Sequence, residues 1–320
     1  MIFIDTHSTD VFYNFGCEYY FASEKDLGDD VFMLWNTSPT LMIGKYQNTL
    51  EEINGEYAKE HGITVVRRMS GGGTIYTDQG GWQFTFITRR TEPGMIEFAR
   101  FVNPIVSALR SLGADVEPTG RNDITLCGKK ISGNAQYKLK GSTVHHGSLL
   151  FDTDINELVR STTPKEYKIT SKSIKSVRDR VTNIREHLSS DMDGGEFRRR
   201  LISSMTDSKY IITPDDERRI IAFAAEKFAD PAVIYAASPA FEAEKTLHLP
   251  GGNLVIGFTV KKGKIESAGI SGDFFGVDDA DTISGALRGC PFTPESVLSA
   301  LKPLSFYAIT PEEIANGLFS

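Results

Sequence analysis

Apolar residues change their spacing several times along the chain, and each change predicts an element. Ile2–Ile4 reads as a short strand, after which Ser8 or Asp10 can cap a helix over Val11–Ser23. In that helix Val11, Phe12, Phe15 and Tyr19 share a face, which predicts core rather than a ligand platform. Apolar runs predict strands at Val31–Trp35 and Thr40–Ile43, joined by a turn over Asn36–Pro39. Leu50–His61 has helical spacing and stops at Gly62, ahead of the β-branched run Ile63–Val66. Gly81–Thr88 predicts another strand. Met95–Leu112 predicts a helix that Pro104 kinks or splits and Gly113 ends.

Strands follow around Ile124–Leu126, Lys130–Lys138 and Val144–Asp152, broken at Gly128 and at Lys140–Gly141. Strands joined by such short turns imply largely antiparallel pairing rather than a Rossmann alternation. From Asp154 to Phe228 the spacing turns mainly helical, with helices expected at Gly195–Met205 and Asp215–Phe228. Pro231–Pro239 reads as a linker-like or loosely packed segment. Beyond it Lys245–Leu249, Leu254–Val260 and Ile265–Gly272 predict a strand meander, completed by short helices near Asp278–Leu287 and Pro294–Leu301. The predicted class is therefore α/β in the α+β sense, with mixed, largely antiparallel sheets. Domains are expected at 1–244 and 245–320.

Composition narrows the class without naming a function. At 320 residues, 40% hydrophobic and 24% charged, the chain has ample material for a core. A net charge of −7 disfavours nucleic acid and anionic membrane as bulk partners. Three widely spaced cysteines, Cys17, Cys127 and Cys290, argue against a disulfide framework or a zinc site. MIFIDTHSTD carries no basic n-region, and no stretch approaches the roughly 18 apolar residues that span a bilayer. A cytoplasmic protein is expected.

Chemistry enters at residues 65–78, VVRRMSGGGTIYTD. Three consecutive glycines after Ser70 carry an entropic penalty that a simple turn does not require. The usual return is close approach of backbone to a ligand, with N–H groups free for phosphate oxygens. Arg67 and Arg68 add donors suited to phosphate or carboxylate. No Gly-Lys-Ser/Thr follows, so a Walker loop is excluded. A charged surface turn and an anion site both fit this stretch alone.

Residues 120–152 decide between them. The blocks RRMSGGGTIYTD, GRND, GKKISGNA and HHGSLL, with MLWNTSPTLMIGKYQN upstream and SVRDRVTNI downstream, closely resemble the lipoate–protein ligases of the biotin/lipoate ligase superfamily. The resemblance spans most of the first 190 residues and continues more weakly to the C-terminus. It implies a biotin/lipoate ligase-like catalytic domain followed by a small α/β accessory domain. It also implies ATP-dependent activation of lipoate to lipoyl-AMP, with Mg²⁺. Transfer would then go to a lysine on lipoyl domains of 2-oxoacid dehydrogenase complexes or on the glycine cleavage H protein.

The same resemblance assigns residues. Arg68, Gly73, Thr74, Ile75 and Tyr76 would contact ATP and the adenylate, while Ser70, Gly71 and Gly72 shape the turn beside the lipoyl chain. Lys130 would touch both adenylate and lipoate carboxyl, as a point charge offsetting negative charge. Read without the resemblance, it is a solvated hairpin lysine beside Lys129. Asn122 and Asp123 are an oxygen pair suited to Mg²⁺, or a turn held by side-chain hydrogen bonds. Gly133 and Ala135 are small for a passing ligand, or for strand packing. His145 and His146 point to opposite faces of a strand, so they do not form a joint metal pair; His146 is taken as a lipoate wall.

Two other readings stay open. Cys127 lies near Lys130, and octanoyl and lipoyl transferases of the superfamily pass the acyl group through a cysteine; as a small buried hydrophobe it would do nothing. A non-catalytic lipoate or nucleotide binder is the third reading. The basic run Lys165, Lys168, Lys172, Lys175, Arg178 and Arg180 is either a solvated face or a flap that attracts an acidic acceptor. Thr77–Asp78, Gly81 and Gln136–Tyr137 depart from the family pattern, which usually has His-Asp, Asn and Tyr-Arg there. The missing arginine leaves one contact that Lys138 is expected to supply.

Overall fold

The computed structural model describes residues 1–45, 47, 49–89, 98–119, 122–162, 179–236, 241–250, 252–272, 280–304, 306 and 309–319. In chain order the first strands and helices are β1 (Ile2–Ile4), α1 (Val11–Ser23), β2 (Val31–Trp35), β3 (Thr40–Ile43), α2 (Thr49–Glu52) and α3 (Gly55–Glu60). Next come β4 (Thr64–Arg67), β5 (Ile75–Thr77), β6 (Gly81–Thr88), α4 (Phe98–Ser111), β7 (Val116–Thr119) and β8 (Asp123–Leu126). Then follow β9 (Lys129–Leu139), β10 (Ser142–Leu150), α5 (Ile155–Thr162), α6 (Gly194–Met205), β11 (Lys209–Tyr210) and α7 (Pro214–Phe223). The C-terminal part holds β12 (Phe241–Leu249), β13 (Gly252–Lys261), β14 (Lys264–Gly272), α8 (Ala280–Leu287), α9 (Pro294–Leu301) and α10 (Pro311–Leu318).

Among the described residues, β11-β1-β2-β6-β10-β9-β8-β7 form one sheet, parallel only at β11–β1 and β1–β2. Its central strands β2 and β6 are buried along their whole length, as strands covered on both faces must be. Side chains alternate between two cores. Phe32, Leu34, Phe84 and Phe86 pack beneath α4 and α6, with Ile105, Leu109, Phe197 and Leu201. Val31, Met33, Trp35 and Ile87 pack beneath α1 and α7, with Phe15, Ile220 and Phe223. Helix α1 is thus enclosed between sheet and α7, which is why it needs so little polar surface.

A second sheet, β4-β3-β5, pairs parallel on one side of β3 and antiparallel on the other. The chain therefore crosses the end of β3 between β4 and β5, and the glycine turn makes that crossing. Leu41, Ile43 and Tyr76 pack outward against Ile53 and Ala58 of the α2–α3 region. The C-terminal meander β12-β13-β14 buries Leu254, Ile256 and Phe258 against α8, α9 and α10.

Several expectations shift in the structure. Leu50–His61 is two short helices, because Asn54 stops the first and caps the second by accepting from Tyr57 N–H at 3.1 Å. Helix α4 runs through Pro104 unbroken; Pro104 and Arg100 are both exposed, so water can serve the carbonyl that the missing N–H leaves. Strand β11 escaped notice because two residues carry no alternation. Helix α10 was also missed, although Thr310, Pro311 and Glu313 spell a capping box. Of the segment Pro231–Pro239, residues 237–239 lie outside the described residues, and a π-type turn over Ala232–Ala236 packs onto β4 and α2.

Candidate active site

The glycine turn is held from inside by an arginine. Arg68 is 7% exposed, and its guanidinium donates to Met42 O (2.8 Å), Gly73 O (2.6 Å), Gly71 O (3.1 Å) and Ser70 Oγ (3.2 Å). Burial pulls its pKa down to about 10, which leaves it charged at neutral pH. One fork of donors thereby fixes the curvature of residues 70–73, leaving those glycines to face a cavity. Arg67 points the other way. It is 3% exposed, bonded to backbone carbonyls and Thr49, and does not line the cavity.

The cavity lies between the glycine turn and the large sheet, with Phe15, Trp35, Met42 and Ile75 as apolar lining. Its volume of about 140 Å³ is close to the ~150 Å³ that holds one benzene ring, so it suits a short apolar chain or ring. Its inner wall is a hydrogen-bonded row. His146 Nε2 lies 2.6 Å from Ser70 Oγ, and His146 Nδ1 lies 3.3 Å from both carboxylate oxygens of Glu18. Glu18, 1% exposed, also accepts from Thr85 Oγ1 (2.8 Å) and Tyr137 OH (2.9 Å). A carboxylate surrounded by donors favours an N–H on Nδ1, and in that tautomer Nε2 is the acceptor for the Ser70 hydroxyl. The row thus runs from the Arg68-held turn to the middle of α1.

At the mouth, Lys130 Nζ stands 2.8 Å from Asp123 Oδ1. Lys130 and Gly133 both line the cavity although strict alternation would separate them. The pairing register of β8 and β9 shifts between Ile124 and Thr125, and this bulge re-aims Lys130. A Cβ on Gly133 would stand 3.1 Å from Lys130 Nζ, so glycine there keeps the ammonium in place. Arg180–Thr182 pairs with Lys130 from the other edge, through Lys130 N–H to Arg180 O (2.8 Å) and Thr182 N–H to Lys130 O (3.2 Å).

Known proteins with this architecture supply the decisive comparison. The family model "Lipoyl protein ligase A/B catalytic domain" matches residues 10–206, and "Bacterial lipoate protein ligase C-terminus" matches 238–318. A lipoate-protein ligase of Bacillus subtilis (strain 168) is 37% identical over 331 residues, spanning all of both chains. This chain belongs to the lipoate–protein ligases. Lipoate–protein ligase 1 of Staphylococcus aureus is 38% identical over 96% of the ligase and 95% of its own length. Among solved structures, the lipoate protein ligase of a bipartite archaeal lipoylation system from Thermoplasma acidophilum superposes with a TM-score of 0.65. It is 25% identical and covers 75% of the ligase and 98% of that chain. A P. falciparum protein solved in complex with lipoate shares the fold over 99% of both chains, at 21% identity and a TM-score of 0.63. The expected fold class and family are therefore both correct.

The structure gathers many of the expected site residues around one cavity and sets others apart. Arg68, Gly71, Gly72, Gly73, Thr74 and Ile75 line it from the turn; Lys130, Gly133, Ala135, His146 and Asn122 line it from the sheet side. Ser70 stands behind the lining, 1% exposed, bonded to His146. Tyr76 is set apart: Ile75 and Met42 face the cavity, so alternation turns Tyr76 into the outer core with Leu41. Asp123 reaches the cavity through Lys130. Asn122 donates to Asn134 O at 3.0 Å, leaving its side-chain oxygen available. One carboxylate with one amide oxygen is a hard-oxygen pair that would suit Mg²⁺. Among the described residues no three His, Cys, Asp or Glu gather as a metal cluster.

Cys127 fits neither of its expected roles. It is exposed, in the Cys127–Gly128 turn with φ +51°, and its Sγ lies 4.0 Å from His187 Nδ1 rather than in the cavity. Lys138 is exposed and lies on the face opposite Gly133, Ala135 and Tyr137, so it does not supply the missing arginine's contact. The departure residue Tyr137 bonds Glu18, and Asp78 caps its turn by accepting from Gly80 and Gly81 N–H at 3.0 Å. Of the basic run only Arg180 lies within the described residues. Glu18 was the largest omission. A lone acid in an otherwise apolar, aromatic helix is the signal that could have found it, since a buried carboxylate requires donors.

Proposed function

We infer that the ligase activates lipoate with ATP and then acylates a protein lysine. A carboxylate does not acylate an amine at neutral pH, so an activation step must come first. The lipoate carboxylate oxygen attacks the α-phosphorus of ATP, the bond to pyrophosphate breaks, and lipoyl-AMP stays bound. The acceptor amine then attacks the acyl carbon, the bond to AMP breaks, and the amine's proton leaves with solvent. Charge accumulates first around the α-phosphate and then on the carbonyl oxygen, so a fixed cation between them stabilises both steps.

The observation that carries this reading is Lys130. Its ammonium is held 2.8 Å from Asp123 at a cavity that the glycine turn also lines. In this reading Gly73, Thr74 and Ile75 meet the nucleotide with Arg68 shaping their turn. Gly71, Gly72, Gly133, Ala135 and His146 then surround the acyl chain, with Ser70 behind His146. Asn122 and Asp123 would hold Mg²⁺, which supplies charge neutralisation for the triphosphate when bound. The acceptors in this reading are lipoyl domains of 2-oxoacid dehydrogenase complexes and the glycine cleavage H protein. A cytoplasmic location goes with it, and the three free cysteines suit a reducing compartment. The division near residue 244 also belongs here, with the strand from Phe241 going to the second domain.

Lipoate-dependent pyrophosphate release from ATP tests the reading. Wild type should release it, and Lys130→Ala should slow release by about a hundredfold or more. Release that survives in the variant removes Lys130 from its role, and no release from folded wild type removes ATP activation altogether.

A further inference from the structure

Arg67, the neighbour of the turn-holding Arg68, is buried among backbone carbonyls and a threonine hydroxyl. Its Nη1 donates to Gly44 O (2.8 Å), Gln47 O (2.8 Å) and Lys45 O (3.2 Å). Its Nη2 donates to Thr49 Oγ1 (2.7 Å) and Ile234 O (2.8 Å), and its Nε to Ile234 O (3.1 Å) and Val233 O (3.2 Å). Thr49 Oγ1 in turn donates to Ile234 O at 2.8 Å. A planar fork of donors has gathered three separate segments: the loop after β3, the start of α2, and the strap over Ala232–Ala236.

Both outer segments lead somewhere. The loop after β3 supports the glycine turn directly. Lys45 N–H donates to Ser70 O (2.9 Å), and Gln47 Oε1 accepts from Gly44 N–H (2.9 Å) and Thr74 Oγ1 (2.9 Å). The contact is so close that a Cβ on Gly44 would fall 1.9 Å from Gly72 O. The strap, at its other end, belongs to the C-terminal unit. Tyr235, the residue after Ile234, packs on that unit's core, with its ring 5.8 Å from Phe319. A continuous path of contacts therefore joins Phe319, Tyr235, Ile234, Arg67, the loop after β3 and the glycine turn.

We propose that Arg67 is a positioning residue that sets the glycine turn against the cavity and ties its placement to the seat of the C-terminal unit. Lysine cannot replace it, because a point ammonium cannot span three segments at once. The proposal deepens the adenylation reading, because it takes the glycine turn as the nucleotide-facing wall. It implies that a disturbance at Tyr235 reaches the turn through Arg67.

The test uses the full chain with Arg67→Lys, Tyr235→Ala and the double variant. The first readout is amide hydrogen exchange at Gly44 and Lys45, which needs no reaction. Each single variant should speed exchange there by about tenfold or more, and the double variant should be no faster than Arg67→Lys alone. The second readout is pyrophosphate release, where Arg67→Lys should lower kcat by about tenfold or more and leave KM for lipoate within about threefold. Exchange in Tyr235→Ala within about twofold of wild type overturns the coupling. Effects that simply multiply in the double variant overturn it as well. A kcat loss matched by the unfolded fraction in urea titration reduces Arg67 to a structural residue. If wild type releases no pyrophosphate, adenylation fails as a reading, while the exchange result still decides the relay.

Discussion

His145 and His146 are neighbours on one strand and belong to different chemistries. His145 enters the core beneath α4, 0% exposed, stacked on Phe101 with ring centroids 4.8 Å apart and close to Phe84, Phe86 and Phe98. Its Nε2 meets Asn134 Oδ1 at 3.1 Å, and its buried Nδ1 has no hydrogen-bond partner among the described residues. Burial, with a smaller contribution from His146, pushes its pKa down to about 3, so it is a neutral packing element. His146 enters the opposite side, between Ser70 and Glu18, and lines the cavity. The sheet is a partition: one residue of chain separates a side chain chosen for shape from one chosen for its hydrogen bonds.

The largest effect should come from emptying the polar side of that partition. Glu18→Leu strands the donors of Thr85, Tyr137 and His146 in a buried setting, at about 1–3 kcal/mol for each unpaired group, and should lower stability by about 3–5 kcal/mol. Urea unfolding measures it, and a loss under about 1 kcal/mol would show that water or repacking satisfies those donors. Next in size is the contrast between the histidines themselves. His145→Ala opens a hole among aromatic rings and should lose about 2–4 kcal/mol, with pyrophosphate release per folded molecule retained. His146→Ala should show the reverse, with about a tenfold or greater drop in release and a smaller stability change. Equal phenotypes for the two would break the comparison.

Taken one pH unit at a time, the smallest effect is a slope against pH. His145 has a folded pKa of about 3 against an ordinary 6.5, so acid protonates it more readily in the unfolded chain. Its contribution is complete above about pH 6.5 and declines by about 1.4 kcal/mol per pH unit as pH falls toward 3. His145→Phe should flatten that part of the stability curve, read from urea midpoints at successive pH values. An unchanged slope would move the acid sensitivity elsewhere. Asp216 declines in the same direction but later. Burial opposes its ionisation, yet donors from Tyr20, Tyr210 and Thr213 hold its carboxyl below the ordinary range.

Much of this partition was legible in the residues. Alternation alone placed His145 and His146 on opposite faces, and the capped helix Val11–Ser23 and strand Gly81–Thr88 stand where their spacing put them. Other features were hidden because their causes are not local. Tyr76 and Ile75 have similar neighbours in sequence, and only the pairing of β5 with β3 turns one outward and one inward. Lys130 faces the cavity because of a bulge, which spacing does not announce. Cys127 read as an acyl carrier or a small buried hydrophobe, whereas the hairpin needs a two-residue turn there with both φ values positive.

What the sequence determined by itself is what short-range physics and motif order carry. Helix caps, strand periods, the glycine turn's freedom and the ordered ligase blocks all act within a dozen residues or through residue type alone. Which oxygens meet Arg67 and Arg68 was decided only when distant segments closed around them. Adjacent arginines at the end of a strand begin with the same donors, and one turns toward the strap while the other enters the turn. The difference arises because a buried guanidinium must take its acceptors from whatever packs against it: for Arg67 the loop after β3 and the distant strap at Val233–Ile234, for Arg68 its own turn and Met42 O on β3.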